Sequence, residues 1–224
     1  MAAAPEGITL FIGSKDWSSW SLRPWLVLKV FDIPFTEELV PLRRPESKAT
    51  LRALSPSGLV PALRHGSLTI WDSLAIIEYL ADRFPDRRIW PAGIEARARA
   101  RSLSAEMHAG FARLRQLMPM AFSSTGLSPE TRDDALEADI ARVVTLWSEA
   151  LARRPEAEGP FLFGAFSAAD AMYAPVVSRF RTYGVDPGGR GRDYTEAVWS
   201  LPAMAAWHAG ALAERQARAG EGLT

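Results

Sequence analysis

The pattern of hydrophobic and polar positions changes about a third of the way along the chain. Before that point, short runs typical of strands alternate with segments typical of helices. The strand-like runs are Ile8–Ile12, Phe35–Val40, Pro61–Leu63 and Leu68–Ile70, and the helical segments are Ser21–Val30, Glu46–Leu54 and Ser73–Phe84. The resulting order, β-α-β-α-β-β-α, predicts an α/β unit with a mixed sheet.

Beyond Pro85 and the Pro91-Ala92-Gly93 segment, apolar residues recur only at helical spacing. The predicted helices are Glu95–Phe122, Pro129–Arg154, Ala168–Tyr183 and Pro202–Arg218. We therefore expect an α/β domain over residues 1–86, a linker over 87–94 and an all-helical bundle over 95–224.

Composition narrows the possible functions of the 224 residues. Lysine plus arginine number 26 and so do aspartate plus glutamate, so the chain lacks the basic surplus of a nucleic-acid-binding protein. Cysteine is absent, which removes every mechanism that depends on a protein thiol. The three histidines, at positions 65, 108 and 208, share no ligand spacing, so no metal site is expected. No apolar run reaches the roughly 18 residues of a membrane span, and Met1–Gly7 shows no secretory signal. A cytoplasmic protein is expected.

Two motifs favour structural roles. Ser167 and Asp170 have the spacing of a helix capping box, in which each side chain satisfies a backbone N–H of the other residue. The glycine-rich run Gly188–Gly191 lacks both a preceding strand and a following Lys-Ser/Thr pair, so we interpret it as a surface loop and not a phosphate-binding loop.

Three further segments are candidates for ligand binding. Val60-Pro61 precedes a strand, and Asp72-Ser73 begins an amphipathic helix whose free N–H groups attract an anion. The segment from Asp16 to Pro24 follows the first strand, at an edge where α/β sheets tend to bind ligands. Its serines are also ordinary N-cap candidates, and the chemistry of the residues alone leaves both interpretations open.

Taken together, these segments resemble a cytosolic glutathione S-transferase over about Ile8 to Trp207. The resemblance rests on Val60-Pro61, the Asp72–Leu80 helix start and Ser167–Asp170, in that order. The run Ser18-Ser19-Trp20-Ser21-Leu22-Arg23 most resembles the zeta class, in which Ser-Ser-Cys opens the first helix. The fold implied is a thioredoxin-like α/β N-terminal domain followed by an all-α helical-bundle domain.

The resemblance also implies roles for individual residues. Val60, next to a cis Pro61, would pair with the cysteinyl part of glutathione, and Asp72 and Ser73 would bind its γ-glutamyl end. Ser18 would donate a hydrogen bond to the glutathione sulfur, with Ser19 as the alternative. Because the chain has no cysteine, any sulfur chemistry must use the thiol of glutathione.

The acceptor substrate would lie beside that sulfur, between the domains. Aromatic and apolar residues are the candidates for its pocket: Trp17, Trp20, Met107, Phe111, Tyr173, Phe180 and Tyr183. For those in the bundle, core packing is the better explanation. The function expected is glutathione transfer to an apolar electrophile by a homodimer. Two alternatives stay open, a zeta-type maleylacetoacetate isomerase and a non-catalytic carrier or assembly protein.

The chain departs from the zeta pattern in ways that bear on the isomerase alternative. Trp20 replaces the cysteine of the zeta run, and Leu22 replaces its usual tryptophan. The arginine that zeta isomerases use for their acidic substrate falls on Thr182, with Arg179 and Arg181 on either side.

Overall fold

The protein is described by a computed structural model, which covers residues 7–42, 44, 47–154 and 159–220. Its four strands are β1 (Ile8–Ile12), β2 (Thr36–Leu39), β3 (Ala62–His65) and β4 (Leu68–Trp71). The helices of the first third are α1 (Ser19–Val30), α2 (Ser47–Leu54) and α3 (Ser73–Arg83), followed by a 3-10 turn at Pro85–Arg87. The helices that follow are α4 (Ile94–Ala109), α5 (Ala112–Leu117), α6 (Asp134–Arg153), α7 (Ala168–Tyr183), α8 (Gly189–Trp199) and α9 (Pro202–Gly220).

The strands form one mixed sheet in the order β2-β1-β3-β4. β2 runs parallel to β1, whereas β3 is antiparallel to both β1 and β4. Side chains alternate across β1, so Leu10 and Ile12 face the main core while Phe11 packs with Val40 and Ala62 on the other side. The predicted fold class, a thioredoxin-like domain followed by helices, is confirmed.

Helix α1 joins the sheet to the helical part of the molecule. Leu22 and Leu26 are fully buried, and the Arg23 Nε donates to the Met172 carbonyl on α7 at 3.2 Å. The helix begins at Ser19, two residues earlier than predicted, and Pro24 lies inside it. Proline has no N–H to donate to the Trp20 carbonyl, so α1 lacks that one backbone hydrogen bond.

Two predictions about the helical part were wrong. The segment predicted as one helix over Glu95–Phe122 breaks at Gly110 and Phe111, and Phe111 has a φ of 56°. The segment Gly188–Gly191, predicted as a surface loop, instead begins α8, with Gly188 as its N-cap at a φ of 69°. A left-handed N-cap favours glycine, and the run of glycines therefore starts a helix here.

Other predicted features agree with the structure. The capping box at Ser167 and Asp170 is present, and the Asp170 carboxylate also accepts the Leu162 N–H at 3.0 Å. Glu46, the predicted first residue of α2, lies outside the described residues. None of the helices among the described residues has the length and apolar content needed to cross a membrane. The exact extent of the two domains stays a prediction.

Candidate glutathione site

A cavity of about 330 Å³ lies where the ends of α1, β3 and α3 meet the helical domain. That volume is at the lower end of the range usual for small-molecule sites. Most of the residues that line it were predicted to bind a ligand. The lining residues are Trp20, Ser57, Leu59, Val60, Pro61, Trp71, Asp72, Ser73 and His108.

Asp72 and Ser73 form one end of this cavity. Asp72 caps α3, and its Oδ1 accepts the N–H groups of Leu74 at 2.8 Å and Ala75 at 3.2 Å. Its backbone has a φ of 75°, which is unusual for a residue other than glycine, and such strained residues are enriched at binding and active sites. Ser73 is 1% exposed, and its Oγ has no hydrogen-bond partner among the described residues. A buried hydroxyl without a partner at a helix N-terminus can donate to a ligand carboxylate.

Val60 and Pro61 form the adjoining wall. The peptide bond between them is cis, as the family resemblance implies. Pro61 lies just before β3, so the Val60 backbone stands outside the strand ladder. A ligand with an extended peptide backbone can pair with it there.

Ser18 lies close to Val60 because Gly13 has no side chain. A Cβ placed on Gly13 would be 3.1 Å from both the Ser18 Cβ and the Val60 Cγ2. Ser18 is the N-cap of α1, where free N–H groups favour negative charge. The Ser18 hydroxyl donates to the Ser21 Oγ at 2.7 Å. The Ser21 Oγ also accepts the Gly13 N–H at 3.1 Å.

Neither predicted catalytic serine lines the cavity itself. Ser18 and Ser19 are 9% and 6% exposed, whereas Trp20, the next residue on α1, reaches the cavity wall. The Ser19 side chain makes no hydrogen bond to any of the described residues. The geometry brings Ser18 next to Val60 but does not assign the sulfur contact to either serine.

Trp20 joins the two domains at the edge of the cavity. The His108 ring, from α4, meets it edge to face with 5.3 Å between ring centroids. The His108 Nε2 lies 3.2 Å from the Asp72 Oδ2. Both carboxylate oxygens of Asp72 therefore have partners, and one of these partners comes from the helical domain.

Three arginines give the region behind Trp20 a positive charge. The Arg23 guanidinium lies 4.1 Å from the Trp20 ring centroid and that of Arg115 lies 5.5 Å from it. Burial, together with the nearby positive charges of Arg179 and Arg115, lowers the pKa of Arg23 to about 9. Burial likewise lowers the pKa of Arg179 to about 10. The Nη1 and Nη2 atoms of Arg23 have no partner among the described residues.

The remaining residues predicted for the acceptor pocket lie away from the cavity. Met107, Tyr173 and Phe180 are buried in the hydrophobic core, and so is Phe111 at 6% exposed. The Arg218 guanidinium lies 4.1 Å from the Trp17 ring centroid, on the side of α9. The Tyr183 hydroxyl donates to the Pro119 carbonyl at 3.1 Å. Of this set only Trp20 lines the cavity.

Sequence reasoning missed His108 and Arg115. No motif links position 72 to position 108, because their contact depends on how α4 docks against α3. The apolar spacing around Arg115 predicted a buried helix face and gave no sign of a charged residue beside Trp20. Within the described ranges, no cluster of three or more His, Cys, Asp or Glu side chains could hold a metal ion.

Comparison with known proteins agrees with this geometry. A family model for the N-terminal domain of glutathione S-transferases matches residues 17–83, and a model for their C-terminal domain matches residues 95–210. A solved bacterial maleylpyruvate isomerase, described as a zeta-class glutathione S-transferase, aligns with a TM-score of 0.69 and 26% identity, over 91% of this chain and 97% of that one.

Curated relatives match over shorter stretches. Glutathione S-transferase 1 of Dianthus caryophyllus is 40% identical over 94 residues, 42% of each chain. A probable maleylacetoacetate isomerase of Caenorhabditis elegans is 35% identical over 99 residues, 44% of this chain and 45% of that one. The matches thus span somewhat under half the length of these relatives. Since the C-terminal family model alone covers more than half of the chain, and the cis-proline and Asp72-Ser73 geometry fit it, the chain belongs to the glutathione S-transferase family.

Proposed function

We propose that this protein is a glutathione transferase in which the Ser18 hydroxyl stabilises the glutathione thiolate. The observation that carries the proposal is the cavity in which the cis Val60-Pro61 backbone faces a helix N-terminus with an unpartnered Ser73 hydroxyl. Val60 would bind the cysteinyl part of glutathione, while Asp72 and Ser73 would bind the γ-glutamyl end. Glutathione is the co-substrate in this proposal, and no metal takes part.

The proposed contacts of the glutathione thiol are strong enough to keep it ionised near neutral pH. A free cysteine thiol has a pKa of about 8.5, and lowering it by about two units takes roughly 2.7 kcal/mol. A hydrogen bond to a charged group contributes about 1.5–3 kcal/mol, and a helix N-terminus adds about 0.3–1 kcal/mol. Ser18 would turn its proton from Ser21 to the sulfur when glutathione binds. The thiolate then forms a C–S bond to an electrophilic carbon, and the leaving group departs with its electron pair.

Substitution of the two serines tests the assignment. We expect Ser18→Ala to raise the pKa of the bound thiol, read from thiolate absorbance, by about one to two units, since one charge-assisted hydrogen bond is lost. Binding of S-methylglutathione, measured by calorimetry, should change less than about threefold because the other contacts persist. Ser19→Ala is the matched control. A shift found only in Ser19→Ala would move the role to Ser19, and no binding of glutathione by the parent would overturn the proposal.

A second candidate, an enzyme acting on a carboxylate-bearing acceptor such as a zeta-type isomerase, is favoured by one observation. The Arg115 side chain is partly exposed, and its guanidinium lies beside the Trp20 ring. Among the described residues, that guanidinium donates a hydrogen bond only to the Gly110 carbonyl. Thr182, where the zeta arginine is expected, is buried and donates to the Ala121 carbonyl at 3.4 Å. Arg115 would take over the role of that arginine, because a guanidinium binds a carboxylate in a bidentate fashion.

A pair of related acceptors separates the two candidates. Turnover of 4-chloro-3,5-dinitrobenzoate is compared with that of its carboxamide, which has the same reacting carbon and no charge. An acid-binding site predicts that Arg115→Gln lowers kcat/KM for the acid about tenfold more than for the amide. Arg113→Gln, at an arginine paired with Asp133, is the control. Equal losses for both acceptors would leave the apolar transferase as the better candidate.

The carrier alternative predicts glutathione binding without turnover of any acceptor.

Association into a homodimer and a cytoplasmic location also belong to the proposal. Sedimentation equilibrium measures the dimer directly.

A further inference from the structure

The C-terminal helix contacts the loop that carries Ser18. The Oε2 of Glu214, on α9, accepts a hydrogen bond from the Ser14 hydroxyl at 2.6 Å. The backbone N–H of Lys15 donates to both carboxylate oxygens of Glu214, at 3.0 Å each. The Trp207 Nε1, two turns earlier on the same helix, donates to the Lys15 carbonyl at 2.7 Å. The chain between β1 and α1 is thus hydrogen-bonded to a helix about 200 residues later.

A second set of contacts lies one turn further along α9. The Arg218 Nη2 lies 2.9 Å from the Asp16 Oδ2, and the Arg218 guanidinium stacks on the Trp17 ring. Asp16 is only 4% exposed, and its Oδ1 accepts the Ser123 N–H at 2.8 Å. Buried carboxylates with such partners hold their surroundings in one arrangement more firmly than exposed ion pairs do.

Ser14 passes this restraint on to Ser18. The Ser14 carbonyl accepts the Ser18 N–H at 2.8 Å and the Trp17 N–H at 3.2 Å, and the Ser14 Oγ accepts the Asp16 N–H at 3.2 Å. Two hydrogen bonds therefore separate the Glu214 carboxylate from the Ser18 backbone. None of these α9 side chains touches the cavity, whose lining comes from other elements.

We propose that Glu214 and Arg218 are positioning residues for the reaction, which fix the loop at 14–17 so that the Ser18 hydroxyl meets the glutathione sulfur. The inference rests on the proposed function of the Ser18 loop. It adds that the helical domain controls catalysis through its last helix, and not only by lining the acceptor pocket. A displacement of about 1 Å at a reacting group can cost up to about a hundredfold in rate.

The experiment compares Glu214→Ala and Arg218→Met with Glu196→Ala, a substitution of an exposed glutamate on α8. We expect the first two to lower kcat about 10- to 100-fold, while the Kd of S-methylglutathione changes less than about threefold. Glu196→Ala should leave kcat unchanged. Ser14→Ala combined with Glu214→Ala should lower kcat no further than Glu214→Ala alone, because both act through one path.

Hydrogen exchange of the ligand-free protein tests the same inference without catalysis. Peptides covering residues 13–18 should exchange faster in Glu214→Ala than in the parent, whereas peptides from β3 and β4 should not. A parent protein that transfers no glutathione would overturn the proposed function and with it the positioning role, whereas faster exchange at 13–18 in Glu214→Ala would still show that α9 restrains the loop. Unchanged exchange at 13–18, or a loss of S-methylglutathione affinity as large as the loss of kcat, would overturn the inference.

Discussion

At the scale of single residues, Gly13 decides how closely Ser18 approaches the cis-proline segment. A Cβ at this position would lie 2.7 Å from the Leu42 Cδ1, in addition to its two contacts at 3.1 Å with Ser18 and Val60. The end of the Leu42 side chain can move aside at small cost. Ser18 and Val60 cannot both move aside without a change in the distance between them. In the proposed function, that distance sets where the glutathione sulfur would lie.

We therefore predict that Gly13→Ala lowers both activity and stability. Overpacking of a tight site of this kind typically costs about 1–3 kcal/mol of unfolding free energy. The affinity for S-methylglutathione should fall together with kcat, since Val60 is displaced as well as Ser18. Urea denaturation and calorimetry measure the two effects. Gly7→Ala is the control, because no atom lies within 4 Å of its added Cβ, and a Gly13→Ala protein with parental affinity would contradict the prediction.

At the scale of secondary-structure elements, the N-terminus of α7 depends on a buried carboxylate that forms no ion pair with any of the described residues. Asp170 is fully buried and accepts the Ser167 N–H at 2.8 Å and the Ser167 hydroxyl at 3.0 Å. Burial raises the pKa of Asp170 to about 6, and these hydrogen bonds only partly oppose the shift. Since the pKa in the folded state lies above the ordinary value of 3.8, the folded state gains stability when Asp170 is protonated.

Because the pKa of Asp170 is raised in the folded state, the unfolding free energy should fall as the pH rises. The contribution of Asp170 is complete below about pH 4 and is lost as the pH rises through about 6, a change of about 3 kcal/mol at 1.36 kcal/mol per unit. Asn at position 170 does not titrate. The unfolding free energy of the parent, relative to Asp170→Asn, should therefore fall by about 2 kcal/mol between pH 4.5 and 7.5. Denaturant curves at four pH values measure it, and a difference that stays flat or rises with pH would contradict it.

The secondary-structure elements also show how much of the structure could be predicted from the sequence. Short-range signals worked where the chemistry is local: the Ser167–Asp170 cap and the Asp72-Ser73 helix start were predicted from spacing alone. The break after Ala109 was missed, because Met107, Phe111 and Leu114 keep their apolar spacing across it and all remain buried. The contacts of Asp72 with His108 and of Ser14 with Glu214 depend on the docking of distant helices, which no local pattern records.

At the scale of the whole molecule, the two predicted domains share one hydrophobic core. A single cluster of buried residues includes Leu10 and Leu26 from the first third of the chain together with Met172 and Val176 from α7. Trp25 on α1 meets Trp207 on α9 edge to face, with 4.9 Å between ring centroids. Neither domain alone can bury the whole apolar surface of α1, because α1 is packed between the sheet and α7.

This continuity predicts that the protein unfolds in one cooperative transition. Removing the helical part would expose the apolar face of α1, so residues 1–86 expressed alone should lack the near-UV signal of a packed core. In urea, tryptophan fluorescence and far-UV circular dichroism should give coincident curves for the full chain. S-methylglutathione at 100 times its Kd should add about 2.7 kcal/mol to the unfolding free energy of the full chain and shift the single transition as a whole. Two separated transitions, of which only the first responds to the ligand, would show that the shared core does not couple the domains.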